Sequence, residues 1–174
     1  MTAEELLRLD MPDTRTELVR GVLRVREPAG HVHGRVTMRV AVAVATHVQR
    51  HSLGETFAAE TGFVLQRDPD TVRAPDVAFV ASHRLAALGE WGFARIAPDL
   101  AVEVLSPDDR PGEVLQKVGD WLRAGTRLVW IVDPAMRTGQ VYRADGTVAL
   151  LTEGEAFEGE DVLPGFVCPL TRVL

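Results

Sequence analysis

Two apolar runs with a helical pattern between them constrain the fold of this chain more than any other feature. Residues 100–105 are apolar at every position except Glu103, which is typical of a strand covered on both faces. Residues 112–124 predict a helix, and residues 127–132 form a second apolar run. A strand, a helix and a strand in this order form a βαβ unit. The sequence therefore predicts a sheet with a helix packed against it.

Shorter runs around this unit extend the predicted sheet. The expected strands are residues 16–19, 22–26, 55–59, 63–66, 72–80, 141–143 and 147–151, and the expected further helices are residues 3–9, 34–49 and 82–88. Thr2 is a candidate N-cap for the first helix, which Met11-Pro12 is expected to end. Tight turns are expected at Arg20-Gly21 and Asp145-Gly146. The predicted fold class is α/β (α+β mixed), with residues 1–174 forming one domain.

The overall charge argues against bulk attraction to nucleic acid. Nineteen Lys and Arg residues against 25 Asp and Glu give a net charge of -6, whereas nucleic-acid-binding domains usually carry a basic patch. A local basic groove is still compatible with this charge. No apolar run reaches the roughly 18 residues of a membrane span, the acidic N-terminus does not resemble a signal peptide, and the single cysteine, Cys168, excludes an internal disulfide framework. We therefore expect a cytoplasmic protein without a membrane partner.

Lys117 is the only lysine in the chain, and the other 18 basic residues are arginines. A coding bias towards Arg replaces exposed lysines readily, so a retained lysine indicates a site that needs a compact ammonium. Survival by chance is the alternative. On the predicted helix, Lys117 shares a stripe with Val114, Val118 and Trp121. The stripe predicts that Lys117 faces the sheet, where the preceding strand carries Glu103.

Glu103 and Asp76 are the candidate metal-binding carboxylates. An ionised Glu103 in a buried strand costs several kcal/mol unless a cation or a donor compensates it; a salt bridge to an arginine is the alternative explanation. Asp76 follows Pro75 at the mouth of a strand, although Pro-Asp pairs are also common in turns and caps. A second such pair, Pro98-Asp99, is interpreted as a turn. Two carboxylates on neighbouring strands are the minimum needed to hold Mg²⁺ through oxygen ligands.

Glu17 and the histidines are weaker candidates. Glu17 lies in a predicted hairpin, where it either completes the metal shell, holds Lys117, or is an ordinary exposed carboxylate. His47 and His51 have the i, i+4 spacing of metal ligands but lack the Glu of the zincin pattern. His33, which precedes a helix, is a candidate for a contact with phosphate or substrate.

Seven features of the chain occur in a recognisable order from about residue 16 to the C-terminus. They are Glu17-Leu-Val-Arg-Gly-Val-Leu, His33 opening a helix, Ala74-Pro-Asp-Val-Ala-Phe-Val80, Pro98-Asp-Leu-Ala-Val-Glu-Val-Leu-Ser-Pro107, Lys117, Val129-Trp-Ile-Val-Asp-Pro134 and Leu163-Pro-Gly-Phe166. Together they resemble the Uma-two family of restriction endonucleases, a branch of the PD-(D/E)XK nuclease superfamily. The stretch from Pro98 to Pro107 is specific in itself, and the others are specific through their order and spacing.

The resemblance implies a restriction-endonuclease-like fold, with a central mixed β-sheet flanked by helices and additional β-hairpins. It also implies that Asp76 and Glu103 bind the metal and that Lys117 is the catalytic lysine. Glu17 matches the acidic position near the family's N-terminus.

Two positions depart from the expected pattern. In the superfamily the lysine usually stands two residues after the acidic residue, where this chain has Leu105. The Uma-two pattern supplies it from the following helix, which Lys117 matches. The family usually has Tyr four residues after that lysine, and this chain has Trp121. The replacement moves the polar group, so a hydrogen bond from this position is an open point.

The leading hypothesis is Mg²⁺-dependent endonucleolytic hydrolysis of DNA, with Mn²⁺ as a second metal that suits the same ligands. Asp76, Glu103, Lys117 and Glu17 are the predicted catalytic residues, and Asp76 and Glu103 are the predicted metal ligands. A catalytically inactive nuclease-fold module that binds DNA or protein is the main alternative, and a hydrolase of small phosphoesters is another. DNA is the expected partner, and a homodimer is an assembly that the sequence allows.

Overall fold

The computed structural model describes residues 1–9, 11 and 14–174 and shows a mixed α/β architecture. The helices are α1 (Ala3–Arg8), α2 (His31–His51), α3 (Pro111–Arg123) and α4 (Leu170–Val173), with a 3₁₀ helix at Ser82–Leu88. The strands are β1 (Arg15–Val19), β2 (Val22–Arg26), β3 (Gly54–Ala58), β4 (Phe63–Gln66), β5 (Thr71–Arg73), β6 (Val77–Ala81), β7 (Leu100–Val104), β8 (Leu128–Asp133), β9 (Thr138–Arg143), β10 (Val148–Leu151), β11 (Ala156–Glu158) and β12 (Val167–Pro169).

A six-stranded mixed sheet in the order β10-β9-β8-β7-β6-β3 forms the centre of the fold. Strands β7 and β8 are parallel and are joined by α3, and the other pairs in this sheet are antiparallel. The predicted βαβ unit is therefore confirmed. Alternate residues of the strands face opposite helices, because side chains along a strand alternate between the two faces. Val102 belongs to the core under α2, whereas Ala101 belongs to the core under α3.

A smaller antiparallel sheet in the order β2-β1-β5-β4 lies beside the central sheet. Leu18 of β1 and Val72 of β5 pack with Leu6 of α1 in a separate apolar cluster. The predicted turn at Arg20-Gly21 is confirmed, and both residues have positive φ angles of 49° and 77°, as a two-residue type I′ hairpin requires. This small sheet carries Glu17 towards the central sheet.

The expected strand at residues 72–80 is wrong as a single element. The chain leaves the small sheet after β5 and enters the central sheet at β6, so the two halves pair with different neighbours. Pro75 has no N–H to donate, and the preceding Ala74 N–H donates to the Glu17 side chain at 3.1 Å instead of to a strand. The crossing between the sheets places Asp76 immediately before the first residue of β6.

The two ends of the chain differ in how well they match the sequence expectations. Thr2 caps α1 in a reciprocal arrangement with Glu5, as predicted; of the expected stop at Met11-Pro12, Pro12 lies outside the described residues. At the other end, β11, β12 and α4 form short elements that the sequence analysis did not predict. Over the described part of the chain, no helix is long and apolar enough to cross a membrane.

Candidate active site

The two candidate metal carboxylates lie close together where β6 meets β7: Asp76 immediately precedes β6, and Glu103 lies on β7. Val77, the first residue of β6, pairs with Val102 of β7, and Asp76 and Glu103 are the residues directly next to this pair in the two segments. The Asp76 N–H donates to the Val102 carbonyl at 3.0 Å, which holds this end of the pairing. Both acids are only 5% exposed. The negative charge of Asp76 is one of the causes that raise the pKa of Glu103, as expected for two acids that the fold holds close together.

Both oxygens of Glu103 accept hydrogen bonds from α3. Lys117 Nζ donates to Oε2 at 2.7 Å, and Trp121 Nε1 donates to Oε1 at 2.9 Å. Burial raises the pKa of Glu103 to about 7; the Lys117 charge opposes this rise, and the charges of Asp76 and Glu17 add to it. The arginine salt bridge that was the alternative for Glu103 is wrong, because its cationic partner is Lys117.

Lys117 points from α3 towards the sheet, as the apolar stripe predicts. Its Nζ also lies 3.4 Å from Glu17 Oε1, so the ammonium stands between two carboxylates. Burial lowers the pKa of Lys117, but the charges of Glu103 and Glu17 outweigh burial and hold this pKa above its ordinary value. Lys117 is therefore a charged hydrogen-bond donor at neutral pH. This state suits the stabilisation of negative charge and does not suit proton abstraction.

Asp76 is held by three groups from different elements. The Val104 N–H donates to Oδ2 at 2.8 Å, His33 Nε2 lies 3.2 Å from Oδ2, and Arg15 Nη2 lies 3.5 Å from Oδ1. Burial raises the pKa of Asp76, but the His33 contact, the Val104 N–H and the Lys117 charge together bring it below its ordinary value. In turn, the Asp76 hydrogen bond raises the pKa of His33. Asp76 and Glu103 are thus adjacent carboxylates whose pKa values move in opposite directions.

Glu17 is buried and belongs to a polar network that contacts Lys117. Arg73 Nη1 donates to Glu17 Oε2 at 2.9 Å, while Arg73 Nε and Nη2 donate to Asp120 Oδ2 at 3.1 and 2.6 Å. Burial raises the pKa of Glu17, but Lys117, Arg73 and the Ala74 N–H outweigh burial and lower it overall. Asp120 lies three residues after Lys117 on α3. Arg73 therefore ties this turn of the helix to the small sheet.

The acids and Lys117 open into a cleft of about 710 Å³. The walls of the cleft come from the β1–β2 hairpin, the start of α2, the loop before α3 and α3 itself. Its lining includes Glu17, His33, Asp76, Glu103 and Lys117. A cleft of this size admits water, a divalent ion and part of a polymeric substrate.

The other candidates from the sequence lie away from this cleft or have structural partners. Asp99 accepts from the Ala81 N–H at 2.8 Å and pairs with Arg84 at 2.7 Å, so the second Pro-Asp pair holds the chain between strands. The rings of His47 and His51 lie 4.5 Å apart, and His47 Nε2 lies 3.0 Å from the Pro164 carbonyl. These two histidines stand at the far end of α2 from His33.

A family model matches almost the whole chain, over residues 3–171, and its description is "Putative restriction endonuclease". The chain belongs to the Uma2 family. The match therefore confirms the resemblance drawn from the sequence, and it covers all of the elements that build the cleft. No protein in a search of curated proteins matches.

The Uma2 chain is also similar to a solved structure described as "a putative nuclease belonging to DUF820" from Anabaena variabilis ATCC 29413. The two share 21% sequence identity and superpose with a TM-score of 0.84, over 99% of this chain and 97% of the other. At this level of identity the likeness shows the fold. The predicted architecture, a central mixed sheet flanked by helices with additional hairpins, is confirmed.

The acidic side chains of this Uma2 cleft offer part of a ligand set for a metal ion. Among the residues that the structure describes, no three His, Cys, Asp or Glu side chains form a ready-made cluster of metal ligands. Asp76 and Glu103 supply two adjacent carboxylates at the edge of a water-accessible cleft. This donor set fits Mg²⁺, which usually binds through one or two carboxylates, water and substrate phosphate. A divalent ion would also offset the mutual repulsion of these buried charges.

Sequence reasoning missed the residues that hold this Uma2 site in place. Arg73 and Asp120 were not singled out, although Arg73 interrupts a β-prone segment and is a buried arginine. Arg15 was not singled out either, because its contact with Asp76 depends on how the two sheets meet. A charged residue inside an apolar run was the available signal for Arg73, and it is the same signal that identified Glu103.

Proposed function

We propose that this Uma2 protein is a Mg²⁺-dependent endodeoxyribonuclease, with Asp76 and Glu103 as metal ligands, Lys117 as the catalytic lysine and Glu17 as the residue that positions it. One observation carries the proposal: the chain's only lysine donates at 2.7 Å to a buried glutamate that lies close to a buried aspartate, beside an open cleft. The family assignment supports nucleic acid as the substrate class.

The proposed reaction is hydrolysis of a phosphodiester bond. A water oxygen forms a bond to phosphorus, the bond from phosphorus to the leaving oxygen breaks, and the water releases one proton while the leaving oxygen takes one up. A bound Mg²⁺ would supply Lewis acidity that lowers the pKa of a water and offsets charge on the phosphate. Mn²⁺ suits the same donor set.

The residues of the chain would divide the remaining work between them. Lys117 is charged and shares its donors between two acids, so it can turn one N–H towards a phosphate oxygen as negative charge develops there. Glu17 keeps the ammonium over the cleft, because Arg73 and the Ala74 N–H fix its own position. Asp76 is kept ionised by His33, Val104 and Lys117. The site is thereby preorganised on strands and a helix.

The test is cleavage of supercoiled plasmid and of single-stranded DNA with Mg²⁺ or Mn²⁺. Wild-type protein is compared with Lys117→Ala and Glu103→Gln, and loss of either group is expected to lower the rate about 10²-fold or more. Glu158→Gln is the matched control, because Glu158 is an exposed glutamate on β11. Equal activity in all four proteins would identify a contaminant and overturn the site assignment.

The same proteins separate hydrolysis from the alternative of an inactive DNA- or protein-binding module. Calorimetric titration with MgCl₂ and MnCl₂ is expected to give binding that Glu103→Gln weakens and Glu158→Gln does not. Nucleic-acid binding without metal binding and without cleavage would favour the inactive module.

A further inference from the structure

Two arginines face each other across the hairpin at the edge of the cleft. Arg15 of β1 and Arg26 of β2 are register partners, and both line the cleft. Like charges directly opposite on paired strands destabilise a sheet. The pair therefore needs negative charge nearby, whether from the protein or from a ligand.

Among the residues that the structure describes, the acids beside this pair lie at salt-bridge distances that are longer than a close hydrogen bond. Arg15 lies 3.5 Å from both Asp76 and Glu60, and Arg26 lies 3.5 Å from Asp109 and 4.0 Å from Glu113. Charge-assisted hydrogen bonds between guanidinium and carboxylate groups are about 2.7–2.9 Å long. The two guanidinium groups thus keep N–H donors that these carboxylates do not engage.

Arg73, an arginine with a structural role in the same protein, differs from Arg15 and Arg26 in its hydrogen bonds and burial. Its donors reach Glu17 and Asp120 at 2.6 to 3.1 Å, and its side chain is only 5% exposed. Arg15 and Arg26 are instead 27% and 38% exposed at their side chains. Their partners Glu60 and Glu113 are more than half exposed, so these acids can turn towards solvent at little cost.

The distribution of charge in the cleft favours binding of a second anion at Arg15 and Arg26. Lys117 is already held by two acids beside the proposed metal site. The rim also carries Asp108, Asp109 and Glu113, which repel a polyanion. A phosphate chain that reaches the site along this rim meets, on the hairpin, the guanidinium donors of Arg15 and Arg26 that these carboxylates do not engage.

We propose that Arg15 and Arg26 form a phosphate-binding subsite for a non-scissile phosphate of the nucleic acid chain. The inference rests on the proposed function for its substrate class. Guanidinium groups bind phosphate through paired N–H donors, and two of them facing one another can hold a phosphate between them. The subsite explains how a chain with a net charge of -6 holds a polyanion: it uses a local clamp and not a basic surface.

The main test is binding of a fluorescein-labelled oligodeoxynucleotide, single-stranded and duplex, measured by anisotropy in EDTA over a series of salt concentrations. Arg26→Ala is the principal variant, because Arg26 touches none of the proposed catalytic residues. We expect about tenfold weaker binding and a plot of log K against log salt that is shallower by about 0.7 for the single strand and 0.9 for the duplex. Arg26→Lys keeps the charge, and its affinity for the oligonucleotide is expected to lie between those of wild type and Arg26→Ala. Unchanged affinity and an unchanged salt slope would overturn the subsite.

Arg50→Ala is the matched control, since Arg50 is an exposed arginine 17 residues beyond His33 on α2, about 25 Å along the helix. It is expected to bind like wild type. Thermal melts of each variant show whether it is folded. A loss in Arg50→Ala equal to that in Arg26→Ala would mean that binding is diffuse, and would contradict a defined subsite.

A gain of affinity provides a second, independent test. Asp109→Asn removes the charge nearest to Arg26 but keeps an acceptor for the Ser106 N–H, which donates to Asp109 at 2.8 Å. Binding is expected to become several-fold tighter, and by more than in Asp108→Asn, which removes the same charge one residue away. Equal effects of the two variants would contradict a specific role of the Arg26–Asp109 contact.

Two further arms separate this inference from the proposed function. Binding that depends on Arg26 without any hydrolysis would support the subsite and count against the nuclease activity. Hydrolysis by Arg26→Ala at the wild-type rate and affinity would support the nuclease activity and overturn the subsite.

Competition with inorganic phosphate tests whether the subsite recognises a nucleic acid chain. Inorganic phosphate at the same phosphate concentration should not displace the oligonucleotide. Displacement would indicate a site for small phosphoesters and would overturn the proposal.

Discussion

Trp121 donates its indole N–H to Glu103 Oε1 at 2.9 Å, on the opposite oxygen from the one that Lys117 holds. The two donors lie four residues apart on α3, so one helical turn presents both to the same carboxylate. At this position the Uma2 family usually carries Tyr, and the replacement by Trp leaves a polar group in reach of Glu103. The open point about this hydrogen bond is thereby answered: the bond exists, and it is made by the indole nitrogen.

Trp121→Phe is expected to destabilise the protein by about 1–3 kcal/mol, because it leaves one oxygen of a buried acid without its donor while most of the ring is kept. Denaturant unfolding measures this change. Trp91→Phe is the control, since Trp91 is 89% exposed and its replacement should have little effect. Equal stability of the two variants would show that the indole N–H contributes nothing to holding Glu103.

Much of the site could be predicted because it lies on one local unit. Glu103 stood out as a charge in an apolar strand, and Lys117 stood out as the single lysine on an apolar helical stripe. The βαβ connection brings a strand and its following helix into contact, so the Lys117–Glu103 pair follows from short-range patterns. The hairpin turn and the N-cap of α1 were predictable for the same reason, since a few adjacent residues determine each of them.

The remaining features depend on pairings between distant segments. Residues 72–80 read as one strand, and only the pairing of β5 with β1 and of β6 with β3 and β7 shows that they belong to two sheets. The partners of Arg73 are 56 and 47 residues away in sequence. The facing of Arg15 and Arg26 requires the hairpin register. The C-terminal strands have three residues each, too few for a periodic pattern.

Arg73→Ala is expected to cost about 3–5 kcal/mol of stability, because it removes the buried cation that donates hydrogen bonds to both Glu17 and Asp120. Arg123→Ala is a matched control on the same acid: Arg123 reaches the other oxygen of Asp120 at 2.6 Å but is 63% exposed at its side chain. That variant should lose less than about 1 kcal/mol. Denaturant unfolding distinguishes the two. Similar losses would contradict the structural role given to Arg73 in holding Lys117 in place.

Divalent metal is expected to stabilise the folded wild-type protein against heat. Binding to the native state alone adds about 2.7 kcal/mol when the free ion is at 100 times its dissociation constant. Differential scanning calorimetry with MgCl₂ or MnCl₂ should therefore show a higher Tm. Asp76→Asn should abolish the shift, and Glu158→Gln should keep it. A shift of the same size in Asp76→Asn would place the ion elsewhere on the protein.

In the absence of metal, Glu103 is expected to make the protein less stable as the pH rises from about 4.5 to 7. The pKa of Glu103 is 4.5 in its ordinary state and about 7 in the fold, where burial is the largest cause of the rise. The folded state therefore binds more protons than the unfolded state in this window. The contribution of Glu103 to the free energy of unfolding is fully present below about pH 4.5 and is lost as the pH rises through 7. The shift in the pKa of Glu103 corresponds to roughly 3 kcal/mol of stability. Glu103→Gln has no such titration, so the difference in unfolding free energy between wild type and this variant should change with pH in this direction. A difference that stays constant from pH 4 to 8 would show that Glu103 titrates at its ordinary pKa and that its burial beside Asp76 and Glu17 carries no electrostatic cost.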